Sequence, residues 1–371
     1  MDLNQRRKMY QAIENYRGRP LIVYVTSTRQ GVPANMAGDA VREFIDQIDS
    51  TAESSEVDIM VHSSGGDALT AWKLMSILRE RFEKVYVLVP YMAFSAATLF
   101  ALGANEIVMH PYASLGPIDP QITIADPNGS LRNFAYEDVG AFLRFLSNDV
   151  KISEQVHISA IIEKLFSVVD PVNVGGAKRA SELSSSVGER LLLLHMTEAE
   201  EKSKAHEIAE NLNKSFFAHG DAVSRSRAIE LDLRIAERDE KLEKLIWDAY
   251  LGVENYLALR QPFEPLQHFL KDPDGAQALQ SIPPLQLPPN TPAHIVQNIW
   301  QNIVEQAVQN LGAGPVEVDF IIVDAIIESA RVASESRNVG KLRLISNPDG
   351  EPDIVPIFTD RGWKKMNIEA I

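Results

Sequence analysis

Cysteine is missing from all 371 residues. That absence removes disulfides, thiolate zinc sites, iron–sulfur clusters and any thiol nucleophile, so hydroxyl, carboxylate, imidazole or amine groups must carry any chemistry. Basic charge is also short: 36 Lys and Arg stand against 51 Asp and Glu, for a net charge of −15. An acidic chain opposes the phosphate neutralisation that dominates non-specific binding to nucleic acid and anionic membranes, and no nucleic-acid partner is expected. No apolar run approaches the roughly 18 residues of a membrane span. The opening MDLNQRRKMYQAIENYRGRP mixes polar and charged side chains, without the apolar core of a signal peptide. The expectation is a cytoplasmic protein with no membrane insertion, no metal and no cofactor.

At roughly 100 to 200 residues per domain, the length implies two or three domains with a large core. From Pro20 to Pro120, short β-branched runs alternate with helix-period segments, which predicts an α/β fold with a largely buried sheet. LIVYVTS (21–27), VDIMVHS (57–63), VYVLVP (85–90) and EIVMH (106–110) read as strands. Helices are predicted from Asp39 to Ile48, with Val41, Phe44, Ile45 and Ile48 on one face, and from Asp67 to Phe82, with Leu69, Trp72, Leu74 and Ile77 apolar. Asp170 to His219 is a long helical stretch whose charged part reads as a solvated face. A second runs from Glu237 to Ala258, with Leu242, Leu245, Ile246, Ala249 and Tyr250 at helix spacing, suited to core packing or to self-association.

IPPLQLPPNTP (282–292) favours extended polyproline geometry and is the expected linker. It separates residues 1–235 (core) and 236–281 (helical extension) from 293–371, a smaller C-terminal α/β region. That last region contains an amphipathic helix (Ala293 to Leu311), an apolar stretch (Val316 to Ala333) readable as helix or strand, and a hairpin, KLRLIS and DIVPIF around NPDGEP.

The chemistry concentrates between Val61 and Gln121. A strand that ends in Ser64-Gly65-Gly66 before a helix makes a turn whose N–H groups face a cavity with no Cβ in the way. One strand later, PYMAFSAATLFALG puts Ser95 among small residues at a strand-to-helix junction, beside the amide of Ala96. A hydroxyl nucleophile near two amide donors is the minimum for acyl transfer. Taken singly, Ser95 also suits a helix N-cap, and a Gly-Gly turn is common. It is the two in this order that carry the argument.

HSSGGDAL, then MAFSAATL, then ASLGPIDPQ, resembles the serine peptidases of the signal peptide peptidase and Clp protease clan, above all the branch called serine dehydrogenase proteinases. The strong match covers about residues 57–121, and a weaker one extends to about Ile235. Nothing is matched from about Leu257 on. The resemblance implies the spiral ββα fold shared by Clp protease and crotonase, with Ser95 as nucleophile and Gly65 or Gly66 with Ala96 as oxyanion donors. It departs at Ser64, where the family turn usually has proline, and in lacking the transmembrane N-terminus of the archaeal members.

A serine hydroxyl needs a base within reach. The family order Ser, Asp, His maps onto Asp119 in GPIDPQ and His219 in FFAHGDAV, although His219-Gly220 also reads as a helix C-terminus and Asp119 as a turn former. The rival is a Ser–Lys dyad, used elsewhere in the clan, with Lys178 or Lys151 as the base once burial lowers its pKa. Strand alternation points His62 to the opposite sheet face, and His110 reads as a strand-end histidine. The expected function is a serine peptidase acting on peptides or unfolded protein segments, assembled as a homo-oligomer. The alternatives are a crotonase-like acyl-CoA enzyme and a non-catalytic assembly protein on the same fold.

Overall fold

A computed structural model describes residues 1–51, 53–125, 131–167, 169–214, 222–279, 291–309, 316–346 and 352–368. The chain opens with helix α1 (Leu3–Arg17), strand β1 (Leu21–Thr26), a small hairpin of β2 (Thr28–Arg29) and β3 (Val32–Pro33), and helix α2 (Ala40–Ser50). Then come β4 (Glu56–His62), α3 (Ala68–Arg81), β5 (Lys84–Val89), β6 (Met92–Ala93), α4 (Ala96–Leu102), β7 (Glu106–Met109) and β8 (Ser114–Leu115). Strands β1, β4, β5 and β7 pair in parallel in that order. Short strands β6 and β8 form a second, separate parallel pair. This repetition of long strand, short strand and helix is the spiral ββα arrangement.

The parallel strands are apolar on both faces because helices cover both. Ile22 and Tyr24, Val57, Ile59 and Val61, and Val85, Val87 and Val89 pack toward α2, α3 and α4. The alternate residues Leu21, Val23, Val25, Met60, Leu88 and Val108 form a second core. Helix α3 starts where the Asp67 carboxylate accepts the N–H groups of Leu69 (3.2 Å) and Thr70 (2.9 Å). Its buried stripe is Ala71, Leu74, Met75 and Leu78, while Leu69, expected on the apolar face, is exposed.

A hairpin of β9 (Gln121–Ala125) and β10 (Leu131–Ala135) leads to α5 (Tyr136–Arg144), a π-helical turn (Phe145–Asp149), α6 (Gln155–Phe166), α7 (Pro171–Leu192) and α8 (Ala199–Lys214). Asp170 caps α7, whose first residue is proline, where a missing N–H costs nothing. Ala205, Ile208, Ala209 and Leu212 of α8 join the α3–α4 core, and its charged face is solvated as expected.

After α9 (Arg225–Glu230), helix α10 (Glu240–Tyr256) buries Leu242, Ile246, Ala249 and Val253 in the second core with Tyr10 and Ile13 of α1. This corrects the self-association reading of that face: the sheet and α1 already cover it.

Helices α11 (Pro265–Lys271), α12 (Pro273–Leu279) and α13 (Ala293–Gln309) follow, then β11 (Glu317–Glu328), β12 (Ala333–Ser346) and β13 (Pro352–Lys365). The proline-rich segment lies almost wholly outside the described residues, as do the hairpin turn at 347–351 and Leu311. The ambiguous stretch from Val316 is strand, and it runs antiparallel beside β1. The three C-terminal strands thus extend the core sheet to seven, in the order β13-β12-β11-β1-β4-β5-β7. A buried ion pair joins the two ends of the chain: Arg6 Nε donates to Glu328 Oε2 at 2.9 Å and Tyr10 Oη to the same oxygen at 2.7 Å, with both charged side chains fully buried.

Candidate active site

Ser95 sits between β6 and α4 with φ 52° and ψ −117°, a region non-glycine residues seldom enter. Its side chain makes no capping hydrogen bond, which corrects the N-cap reading. The hydroxyl is half-buried and has no hydrogen-bond partner among the described residues. A strained strand-to-helix turn is the backbone geometry that a nucleophile elbow requires.

The glycine turn touches it. Gly65 has φ +119°, and a Cβ there would lie 2.6 Å from Ser95 Cβ, 2.8 Å from Phe94 O and 3.2 Å from Ser95 Oγ. Gly66 has φ +149°, and its Cβ would fall 2.2 Å from Met36 O. Both glycines are therefore demanded by conformation and by space.

Backbone bonds fix the approach. Ser63 N–H donates to Met92 O (3.1 Å) and Phe94 N–H to Ser63 O (3.0 Å), so the chain beyond β4 pairs with the segment leading to Ser95. On the other side, Met36 N–H donates to Gly65 O (2.7 Å) and Asp67 N–H to Met36 O (2.9 Å). In such a parallel bridge the residue between the two bonds, Gly66, turns its own N–H away from the Met36 segment. Gly65 N–H is occupied, since it donates to Ser63 Oγ at 3.1 Å. The amides of Gly66 and Ala96 have no acceptor among the described residues.

Thr98 of α4 ties the helix to the strip after β8: its Oγ1 lies 2.7 Å from Ala93 O and 2.9 Å from Gly116 O, and accepts Gly116 N–H at 3.1 Å. Asp119 follows on the same strip and is half-buried. Its neighbour Ile118 is pinned from two helices: Ile118 N–H donates to Leu212 O of α8 at 2.9 Å, and Ser184 Oγ of α7 donates to Ile118 O at 2.5 Å.

His219 lies outside the described residues. The chain on either side of it is anchored to this strip, through Leu212 at Ile118 and through Val223, which exchanges two hydrogen bonds with Leu115 (3.0 and 2.8 Å). Lys178 is exposed and bridges Glu182 one turn along its own helix at 3.6 Å, and Lys151 is exposed. Neither is buried as the lysine alternative requires.

Three other histidines are packed into the fold. His62 is fully buried on the far sheet face, its ring 5.0 Å from that of Tyr250 and 6.0 Å from that of Tyr91, and burial pushes its pKa down to about 3. His110 stacks on Trp247 at 4.8 Å. His195, which no sequence signal singled out, places Nε2 2.9 Å from Leu102 O, and burial lowers its pKa to about 4. Among the described residues no cluster of His, Asp and Glu could hold a metal, and no helix is long and apolar enough to cross a membrane.

Residues 2–140 match the family model of ClpP-like SDH-type serine proteinases. Two uncharacterized proteins of Methanocaldococcus jannaschii are similar. MJ1495 is 32% identical over 124 residues, 32% of this chain and 42% of that protein. MJ0137 is 35% identical over 80 residues, 22% and 28% respectively. The chain thus spans less than half the length of either. Among solved structures, the 1510-N membrane-bound stomatin-specific protease aligns with a TM-score of 0.34 at 16% identity, over 60% of this chain and 82% of that one. ClpP1 from Listeria monocytogenes gives 0.34 at 14%, over 62% and 98%.

Proposed function

We propose, from the match of residues 2–140 to the family of ClpP-like SDH-type serine proteinases, that this protein is a serine peptidase that cleaves peptides or unfolded protein segments through an acyl-enzyme on Ser95. Ser95 Oγ attacks the scissile carbonyl carbon as His219 takes its proton, and the N–H groups of Gly66 and Ala96 receive the oxyanion. Collapse breaks the C–N bond, and the amine leaves with the proton from His219. Water, deprotonated by the same imidazole, then hydrolyses the ester. Asp119 orients His219 and stabilises the imidazolium. The observation that carries the reading is the strained, uncapped Ser95 pressed against the Gly65 turn. What favours Gly66 over Gly65 is that Ser63 already holds the Gly65 amide. For the base, support comes from the anchoring of both flanks of His219 beside Ile118 and Leu115.

A fluorogenic unfolded-protein substrate tests it. Ser95→Ala is expected to abolish turnover with an unchanged circular dichroism spectrum, and retained turnover would remove Ser95 from the reaction. An acyl-CoA enzyme or a scaffold would show no serine-dependent hydrolysis at all.

A further inference from the structure

Two buried hydroxyls lie behind the glycine turn, and the mechanism above does not use them. Thr26, the last residue of β1, and Ser63, the residue after β4, are 0% and 1% exposed. Val25 is in register with His62, so Thr26 and Ser63 are the next neighbours across the parallel pair. Thr26 Oγ1 donates to Ser63 Oγ at 2.7 Å. Ser63 Oγ also accepts Gly65 N–H at 3.1 Å and directs its own proton to Gly65 O at 3.3 Å. A hydroxyl has one proton to give and two lone pairs to fill, so Ser63 is saturated and its rotor is fixed.

From this geometry we infer that Thr26 and Ser63 are positioning residues for the oxyanion site. The relay clamps both backbone polar groups of residue Gly65, its N–H and its C=O, and because Gly66 N–H points opposite to Gly65 C=O across their shared peptide plane, it leaves Gly66 N–H as the amide presented to the reacting carbonyl. Charge that develops in a transition state is stabilised only by donors already aimed at it. Gly65, at φ +119°, has no side chain to hold it; Met36 N–H holds its carbonyl from one side, and the Ser63 hydroxyl fixes its N–H and meets the same carbonyl from the other.

The relay reaches the C-terminal strands as well. Thr26 is in register with Ala325 of β11, and Ser27 N–H donates to Asp324 O at 2.7 Å, at a bulge between Val323 and Ala325. A bulge next to a site re-aims the backbone beside it. Here it abuts the end of β1 that carries Thr26.

This inference rests on the peptidase reading, so wild-type protein is assayed first, by peptide hydrolysis and by the rate of phosphonylation with a fluorophosphonate. If neither occurs, the peptidase reading itself fails. If both occur, Thr26→Val, which keeps shape and removes the hydroxyl, is expected to lower kcat and the phosphonylation rate by about tenfold or more, with KM within about twofold. That loss is smaller than the ~100-fold or greater loss on removing an oxyanion donor outright. Thr26→Ser, which keeps the hydroxyl, is expected to restore both rates, and Ser63→Ala to fall at least as far as Thr26→Val. Wild-type rates in folded Thr26→Val or Ser63→Ala overturn the inference. So does an equal loss in Thr26→Val and Thr26→Ser, or unfolding of all three variants, because the hydroxyls then serve stability rather than aim.

Discussion

At Ser95 the backbone and the hydroxyl make opposing demands. The φ of 52° suits glycine, yet the chain has serine there, and strain of this kind is of order 1–3 kcal/mol. Replacing Ser95 with alanine removes the nucleophile and keeps the strain, whereas glycine removes both. Ser95→Gly is therefore expected to be more stable than Ser95→Ala by about 1 kcal/mol in urea unfolding, after the entropy cost of glycine is subtracted. Equal midpoints would mean the strain is absent. The base carries a pH signature at the same scale. If His219 is the base, turnover rises with an apparent pKa near the ordinary imidazole value of about 6.5, and His219→Ala removes it. Persistence of most turnover in His219→Ala, with loss in Lys178→Ala or Lys151→Ala, would assign the proton to a lysine instead. Ser95 and the glycine doublet were legible in the sequence only as a pair in order, since each alone suits an N-cap or an ordinary turn. Thr26 and Ser63 were not: the bond that joins them spans 37 positions and exists only once β1 and β4 are in register.

Among the elements, the turn between β4 and α3 tolerates little change. Gly65→Ala would force an L side chain to φ +119° and into Ser95 Cβ at 2.6 Å. It is expected to lose peptidase activity and at least about 1–3 kcal/mol of stability from the backbone conformation alone. Wild-type stability together with wild-type turnover in Gly65→Ala would contradict this close approach. Strands β1, β4, β5 and β7 were readable from apolar runs, since each is covered on both faces. Helix α10 was readable as an element, but its partner was not. The stripe of Leu242, Ile246 and Ala249 specifies that something covers it, and only the tertiary arrangement identifies that cover as α1 and the sheet. Likewise β11 has the composition of a buried strand, but its place beside β1 comes from pairing across some 300 residues of chain.

Across the whole molecule, the N- and C-terminal segments stand together through Arg6 and Glu328. Burial works against the Arg6 charge, and the hydrogen bond and charge of Glu328 outweigh it, so its pKa is raised. Glu328→Gln leaves that guanidinium buried without its counter-charge and is expected to cost about 3–5 kcal/mol in denaturant unfolding. A cost under about 1 kcal/mol would show that the pair does not hold the ends. Stability should also depend on pH through His195. Its folded pKa is depressed from 6.5 to about 4, so the unfolded chain binds the extra proton first as pH falls. Its contribution is complete above about pH 6.5 and is lost progressively as pH falls toward 4; His195→Gln should flatten that dependence. With the α10 face covered, exposed apolar surface for the homo-oligomer expected from sequence is offered instead by Leu143, Phe145, Val156 and Phe166 around α5 and α6. Light scattering at micromolar concentration is expected to give a mass well above the 41.2 kDa of one chain, and a single sharp mass at that value would refute assembly.

Whether Ser95 is an activated nucleophile is decided by treating the folded protein with a fluorophosphonate and mapping the adduct by peptide mass spectrometry. One phosphonylated residue, Ser95, is expected, with labelling abolished in Ser95→Ala. An unmodified Ser95 in fully folded wild-type protein, or labelling that survives Ser95→Ala undiminished, would contradict it.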